Sequence, residues 1–307
     1  MANSIAIRVY KIAIYKKNDR KSISIDNINL PTSVSNFMSS FIKEFDIPTE
    51  NQKLERSWYF ELVEDSPPSA FSGYIHYGTF GFESNFVDIN TKKHNYHRKN
   101  TDIEEIPLFF EFWLPKNTHF GFAVFQSFQS RSCVQLITNA IKEKFKTVNP
   151  GYIISFQKIM PNDARGSAYY SAPVKKLRLI NKNFYADSED NYLGEPDIVD
   201  FEYVMSAKRN RSLGSFFSIF SKIKSGSRSM VVHRGIEFSE VSAEIKVGDK
   251  VRTVGILGPN KDFGVIDLTD SVDIGKNGHP TFQFLKRETD TILKDFNETL
   301  VGQQDED

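Results

Sequence analysis

The spacing of apolar residues alternates along this chain between a strand-like period of two and a helical period, and this alternation most constrains its fold. Several stretches rich in aromatic and β-branched residues and bounded by turn clusters predict β-strands: 57–63, 72–80, 82–89, 106–114 and 119–127. Residues 32–45 and 132–148 instead place apolar side chains three and four positions apart, which predicts amphipathic helices. The combination predicts an α+β fold in which such helices pack on antiparallel β-sheets.

The two ends of the chain carry clear local signals. Residues 5–15 and 22–30 read as strands joined by a polar turn, so we expect an opening β-hairpin. Gly248-Asp249 lies between two alternating runs and predicts a second hairpin. Apolar residues at helical spacing over 281–301 predict a long helix near the C-terminus.

A stretch rich in Gly, Ser and Tyr at 161–173 predicts a domain boundary. We therefore expect two domains. The first is an N-terminal α+β domain at 1–165, and the second is a C-terminal α+β domain at 174–307 that contains the basic segment 206–230.

Composition limits the functional classes. The charges of the 307 residues balance at 39 against 39, which excludes a protein that coats nucleic acid through bulk charge and leaves a local patch open. The single cysteine fits a reducing compartment. We find neither a signal peptide nor an apolar run long enough to span a membrane, and we expect a cytoplasmic protein without a transmembrane segment.

The basic segment stands out against this balance. Seven Lys or Arg residues and no Asp or Glu lie between Tyr203 and Ile236. Within it, residues 212–224 place Leu213, Phe216, Phe217, Phe220 and Ile223 at helical spacing and predict a short amphipathic helix.

Three interpretations of this segment stay open. The helix packs on its own core beneath solvated cations, or the cations bind phosphates, or the Phe216–Phe220 face engages a membrane surface or a partner protein. The second interpretation predicts a nucleic-acid-binding site made of these residues: Lys208, Arg209, Arg211, Lys222, Lys224, Arg228 and Arg234.

Catalytic and metal-binding signals are weak. His94 and His97 have the spacing of two metal ligands on a helix, but the lysines and arginines around them would repel a cation. Cys133 lies at the start of an apolar helical pattern and is expected in the core. The sequence contains no phosphate-binding loop, nucleophile elbow or dinucleotide fingerprint, and we expect no cofactor and no metal.

One constellation has the residue types of a metal-dependent nuclease. Pro196-Asp197 and the run Glu244 to Lys246 provide two carboxylates and a lysine. The interval between them is long for such a motif, and alternating charges are ordinary in a strand. A defence nuclease is therefore the alternative to a non-enzymatic protein.

The stretch "IPLFFEFWLPKNTHFGFAVFQSFQSRSCVQLITNAI" and the later "NGHP" turn before a long helix resemble RexA-like phage exclusion proteins. The resemblance implies a two-domain α+β protein of a bacterial anti-phage system. It further implies a dimer that binds DNA with little sequence preference. It assigns no catalytic residues to this chain.

Together these observations predict a non-enzymatic DNA-binding protein that acts as a sensor or regulator in anti-phage defence by abortive infection or phage exclusion. We expect a homodimer that binds double-stranded DNA and acts with an effector protein. An interaction subunit that recognises a phage protein or a membrane-associated protein is a further alternative.

Overall fold

The computed structural model describes residues 4–66, 69–129, 131–159, 167–185, 198–224, 230–258 and 264–304. The strands are, in chain order, β1 Ile5–Lys16, β2 Ser22–Ile23, β3 Thr49–Asn51, β4 Arg56–Ser66, β5 Ala70–Thr79, β6 Ser84–Val87, β7 His94–Arg98, β8 Glu104–Trp113, β9 Gly121–Phe128, β10 Tyr152–Lys158, β11 Val174–Tyr185, β12 Ile198–Ser206, β13 Val231–His233, β14 Ile236–Phe238, β15 Glu240–Val247, β16 Lys250–Leu257 and β17 Val265–Asp267. The α-helices are α1 Val34–Glu44, α2 Val134–Val148, α3 Ala168–Ser171, α4 Phe216–Lys224 and α5 Phe282–Gln304. The chain is an α+β protein, as predicted.

Two compact units divide the chain. The unit called here the N-unit consists of Tyr10–Gln157 and Asp273–Thr289. The C-unit consists of Met1–Val9, Lys158–Val272 and Asp290–Asp307. The predicted domain limits, 1–165 and 174–307, stay a prediction, and residues 160–166 at the expected boundary lie outside the described residues.

The N-unit is built on an antiparallel sheet with an aromatic core. Hydrogen-bonded neighbours follow the order β9, β8, β5, β4, β3, and every pair in this series is antiparallel. Phe110 pairs with Phe125, and Phe112 pairs with Ala123. Every residue of β9 is buried, which is typical of a strand covered on both faces.

Helices α1 and α2 supply part of that cover. The hydroxyl of Ser33 accepts a hydrogen bond from Asn36 N at 3.2 Å, which fixes the start of α1. The ring of Phe37 packs edge-on against Phe145 of α2, with the ring centroids 5.0 Å apart. Both predicted amphipathic helices are confirmed, because their apolar stripes face this core.

The C-unit sheet follows the order β12, β11, β15, β16, β17, and each adjacent pair is antiparallel. The predicted hairpin is confirmed: Val247 pairs with Lys250, and Gly248 has the positive φ of 58° that this tight turn requires. Residues that pair across one face of the sheet are buried: Leu177, Leu179, Val241, Ala243 and Val254.

The opening hairpin is shorter than predicted. Strand β2 ends at Ile23, whereas the sequence pattern extends it to residue 30. The Ser24 hydroxyl accepts from Asp26 N at 3.3 Å, and the Asn27 side chain accepts from Asn29 N at 2.8 Å. These local bonds compete with a ladder and turn the chain away from the strand.

The predicted C-terminal helix is confirmed as α5, but its apolar stripe is already used within the chain. The five residues of the predicted stripe are buried: Phe284, Leu285, Ile292, Phe296 and Leu300. None of the described helices is long and apolar enough to cross a membrane.

Candidate nucleic-acid interface

The basic segment begins where β12 ends and stays attached to the sheet. Ala207 N donates to the Lys175 carbonyl at 2.8 Å, continuing the ladder by one bond. The chain then turns, with Arg211 N donating to Lys208 O at 2.9 Å and Asn210 in the left-handed region at φ 61°. Residues 207–211 are called the cationic loop below.

The far side of the cationic loop is also fixed to β11. Leu213 N donates to the Val174 carbonyl at 2.8 Å, and Val174 N donates to Gly214 O at 2.9 Å. The ammonium of Lys175 donates to Arg211 O at 2.7 Å. The loop is therefore held at both ends, which lowers the entropy lost when it binds a ligand.

The cations of this loop differ from those on the neighbouring strand β11 in whether a carboxylate pairs with them. Lys208, Arg209 and Arg211 are exposed, and none has a carboxylate within ion-pair distance among the described residues. Three of the four cations of β11 are paired with carboxylates at 2.6 Å, as Lys176–Glu244, Arg178–Glu202 and Lys182–Glu240. Positive potential consequently concentrates at the loop.

Helix α4 begins later than the predicted 212–224, because Gly214 has a φ of 128° that breaks the helical backbone. Phe216 and Phe220 are 0% and 1% exposed, respectively. The interpretation in which the Phe216–Phe220 face binds a partner is wrong for these two rings, since both lie in the core. Phe217 is partly exposed and stacks on Tyr170 at 4.4 Å.

An apolar cleft of about 710 Å³ lies beside α4. Its aliphatic walls come from the sheet, from α4 and from β13: Leu177, Leu179, Met205, Ile219, Ile223 and Val231. Nucleic-acid bases stack on rings rather than on aliphatic walls, and among the described residues that line the cleft only His233 carries a ring. The cleft itself therefore does not favour single-stranded bases.

The predicted cations lie around this cleft. Lys222 lines it, Arg211 is two residues before the lining residue Leu213, and Arg234 follows the lining residue His233. The guanidinium of Arg234 lies 5.6 Å from the Tyr203 ring centroid, as in a cation–π contact.

The structure places Lys208, Arg209 and Arg211 on the cationic loop, Lys222 in the lining of the cleft, and Arg234 next to the lining residue His233. Lys224 is the last residue of α4. Arg228 lies outside the described residues.

The histidine pair has no metal-site geometry. His94 and His97 lie on strand β7, where they pair with Val87 and Asn85 of β6 across a shift in register, so the helical spacing argument does not apply. The Nδ1 atom of His97 is instead 2.8 Å from the Asn85 side-chain oxygen. No cluster of three metal-ligating side chains occurs among the described residues.

Two further side chains that the sequence offered for catalysis, Cys133 and Glu244, have structural contacts in the fold. Burial raises the pKa of the Cys133 thiol to about 12, so the thiolate is not formed near neutral pH, and the residue belongs to the core as predicted. The Glu244 carboxylate forms an ion pair with Lys176, with 2.6 Å between Oε1 and Nζ. Pro196 and Asp197 lie outside the described residues.

Sequence reasoning missed a second basic cavity, which lies in the N-unit. It encloses about 640 Å³, and its lining includes Lys17, Lys142 and Lys146. Lys142 and Lys146 are four residues apart on α2, a spacing that puts both on one helix face and could have been noticed. Lys17 lies in the turn after β1, far from α2 in sequence, and had no local signal.

No protein-family model matches this chain, and no curated protein matches it. The resemblance to RexA-like phage exclusion proteins stays a prediction.

Proposed function

We propose that this protein binds double-stranded DNA through the cationic loop, with little sequence preference. The observation that carries the proposal is the set of exposed cations Lys208, Arg209 and Arg211 on a loop fixed at both ends, for which the described residues provide no paired carboxylate. Phosphates are the partners that such groups bind without reading sequence. The aliphatic cleft beside the loop favours contacts to the duplex backbone over stacked single-stranded bases.

The proposed cellular role is that of a cytoplasmic, non-enzymatic sensor or regulator in bacterial anti-phage defence, acting as a homodimer with an effector protein. The resemblance to RexA-like proteins supports this role. A dimer suits the modest affinity of one screened patch, because a second patch on the same duplex binds as an intramolecular contact.

Salt dependence tests the binding site. About six phosphate contacts give a slope of log affinity against log salt near −5, from roughly −0.9 per contact on duplex DNA. The triple change of Lys208, Arg209 and Arg211 to Ala should flatten the slope by about 2.7. An unchanged slope in the triple variant, or no DNA binding by the intact protein at low salt, would contradict the proposal.

A matched pair of single variants controls for charge. Arg209→Ala and Arg178→Ala remove the same side chain from exposed positions of the C-unit, but only Arg178 is paired, with Glu202 at 2.6 Å. We expect Arg209→Ala to weaken DNA binding more than Arg178→Ala. Equal losses would mean that net charge alone determines the affinity.

Two further measurements test the cellular role and the assembly. The triple variant should lose protection in a phage plating assay in which the Arg178→Ala protein still protects. Light scattering should give twice the chain mass of 35.2 kDa.

Magnesium-dependent cleavage of DNA that Glu244→Ala abolishes would replace the proposal with the nuclease alternative.

A further inference from the structure

The two-stranded hairpin β6–β7 of the N-unit, called the arm here, has a rigid base. Arg98 is 2% exposed, and its guanidinium donates to the carbonyls of Thr79 and Asp102 and to the Glu104 carboxylate. The same group lies 4.1 Å from the centroid of the Phe82 ring. Because so many bonds converge on one buried cation, the arm leaves the unit in a fixed direction.

The tip of the arm is also well ordered. Asp88 Oδ1 accepts hydrogen bonds from Asn90 N at 3.0 Å, from Thr91 N at 2.7 Å and from the Thr91 hydroxyl at 2.9 Å. These bonds, led by that from Thr91 N, hold the pKa of the Asp88 carboxyl below its ordinary value. The turn presents Ile89, which is 80% exposed.

Large apolar side chains are exposed along the arm. Phe82, Phe86, Val87 and Tyr96 are each between 45% and 53% exposed, in addition to Ile89 at the tip. Single exposed apolar residues need no explanation, but a cluster on one projecting element is typical of an interaction surface.

Charge indicates the kind of partner. Lys92 and Lys93 are exposed beside Ile89, and neither has a carboxylate within ion-pair distance in the part of the chain that the structure describes. The arm also carries exposed hydrogen-bonding side chains: Asn85, Asn90, His94, Asn95 and His97. Residues 82–99 contain four cations (Lys92, Lys93, Arg98 and Lys99) and two carboxylates (Glu83 and Asp88), so this hydrogen-bonding ribbon has a net positive charge and complements a polyanion.

We propose that the arm enters a groove of duplex DNA, with Lys92 and Lys93 against phosphates and Ile89 inserted between base pairs as a wedge. The inference rests on the proposed DNA-binding function. Two-stranded ribbons bind the major or the minor groove, and in the minor groove an inserted aliphatic side chain kinks the duplex by unstacking one base step. The wedge therefore requires the minor groove. Asparagine and histidine side chains would lose hydrogen bonds in lipid, which favours DNA over a membrane.

Binding experiments with the full chain test the phosphate contacts. The double change Lys92→Ala and Lys93→Ala should flatten the salt slope by about 1.8, so that the loss of affinity between 50 and 200 mM salt becomes about 12-fold smaller. The control Lys43→Ala with Lys116→Ala removes two exposed lysines from other elements of the N-unit and should leave the slope unchanged. Thermal melting should show all four substitutions to be neutral for folding.

Bending experiments test the wedge. Energy transfer between dyes at the two ends of a short duplex should report a bend, and 2-aminopurine within that duplex should brighten as base steps unstack. Ile89→Ala should abolish both signals. Ile28→Ala is the matched control, since Ile28 is 94% exposed in another loop, and it should leave both signals intact.

The outcomes separate this inference from the proposed function. Normal DNA binding, slope and bending in the arm variants would overturn the role of the arm and leave the cationic loop as the DNA site. Failure of the intact protein to bind any nucleic acid would overturn both proposals. Binding to phosphatidylserine vesicles that the arm variants lose, with DNA affinity unchanged, would make the arm a membrane contact and overturn the inference.

Discussion

The segment 206–224 and the arm at 82–99 both mix aromatic residues with cations, yet they use the aromatic rings in opposite ways. Phe216 and Phe220 of the first segment are 0% and 1% exposed, whereas Phe86 and Tyr96 of the arm are 47% and 53% exposed. Similar composition therefore gives a core element in one unit and a displayed surface in the other.

The difference comes from what covers each element. The helical period gathers Phe216 and Phe220 on one side of α4, where their rings lie 5.8 Å apart in the core of the C-unit. Strands β6 and β7 pair only with each other, so the arm is a two-stranded sheet outside the main ladder. An aromatic residue in a sequence therefore indicates a binding surface only when it is known whether other elements bury its ring.

The largest expected effect tests the difference in burial between Phe220 and Phe86 directly. Phe220→Ala should lower the free energy of unfolding by about 3–5 kcal/mol, because it removes a buried ring and leaves a cavity. Phe86→Ala should cost less than about 0.5 kcal/mol, since its ring is half exposed. Urea unfolding measures both, and equal costs would show that the two rings have the same degree of burial in solution.

A smaller, local effect tests the base of the arm. Arg98→Ala removes charge-assisted hydrogen bonds and leaves the Thr79 and Asp102 carbonyls without that donor, so opening of the arm should become easier by about 2–3 kcal/mol. Hydrogen exchange of the β6–β7 amides should speed up while the β8 amides stay protected.

The matched control for that change is Arg131→Ala. Arg131 also contacts the Glu104 carboxylate but is 37% exposed. Its removal should cost less than about 1 kcal/mol. Equal acceleration of amide exchange in the two variants would mean that the burial of Arg98 does not stabilise the arm.

Much of the fold could be predicted from local patterns. Helices α1, α2 and α5 follow from apolar residues at helical spacing, and the turn at Gly248 follows from the glycine between two alternating runs. These signals lie within about twenty residues of sequence, where side-chain period and turn chemistry determine structure.

The candidate site was less accessible to sequence reasoning. The positions of the cations could be predicted from the sequence. Which of them pair with carboxylates could not, because partners such as Lys176 and Glu244 are 68 residues apart and meet across the ladder between β11 and β15. Of the arm, the strand predicted at 82–89 contains β6, but β7 was missed for a related reason. Strand β7 lacks an apolar run, and pairing with β6 gives it a strand conformation despite its polar sequence.

The smallest expected effect concerns the ordered tip that presents Ile89. Hydrogen bonds from Thr91 and Asn90 lower the pKa of Asp88 from its ordinary value of 3.8. A carboxyl with a lowered folded-state pKa stabilises the folded tip above its ordinary value, and this contribution is lost as the pH falls through the lowered pKa. In an NMR titration, the Thr91 amide shift should therefore move with a midpoint below 3.8, and Asp88→Asn should abolish that step. A midpoint at or above the value for an unstructured peptide of residues 86–96 would mean that the turn is not held by the carboxylate. The arm would then display Ile89 on a mobile tip. It would differ from α4 in order as well as in burial.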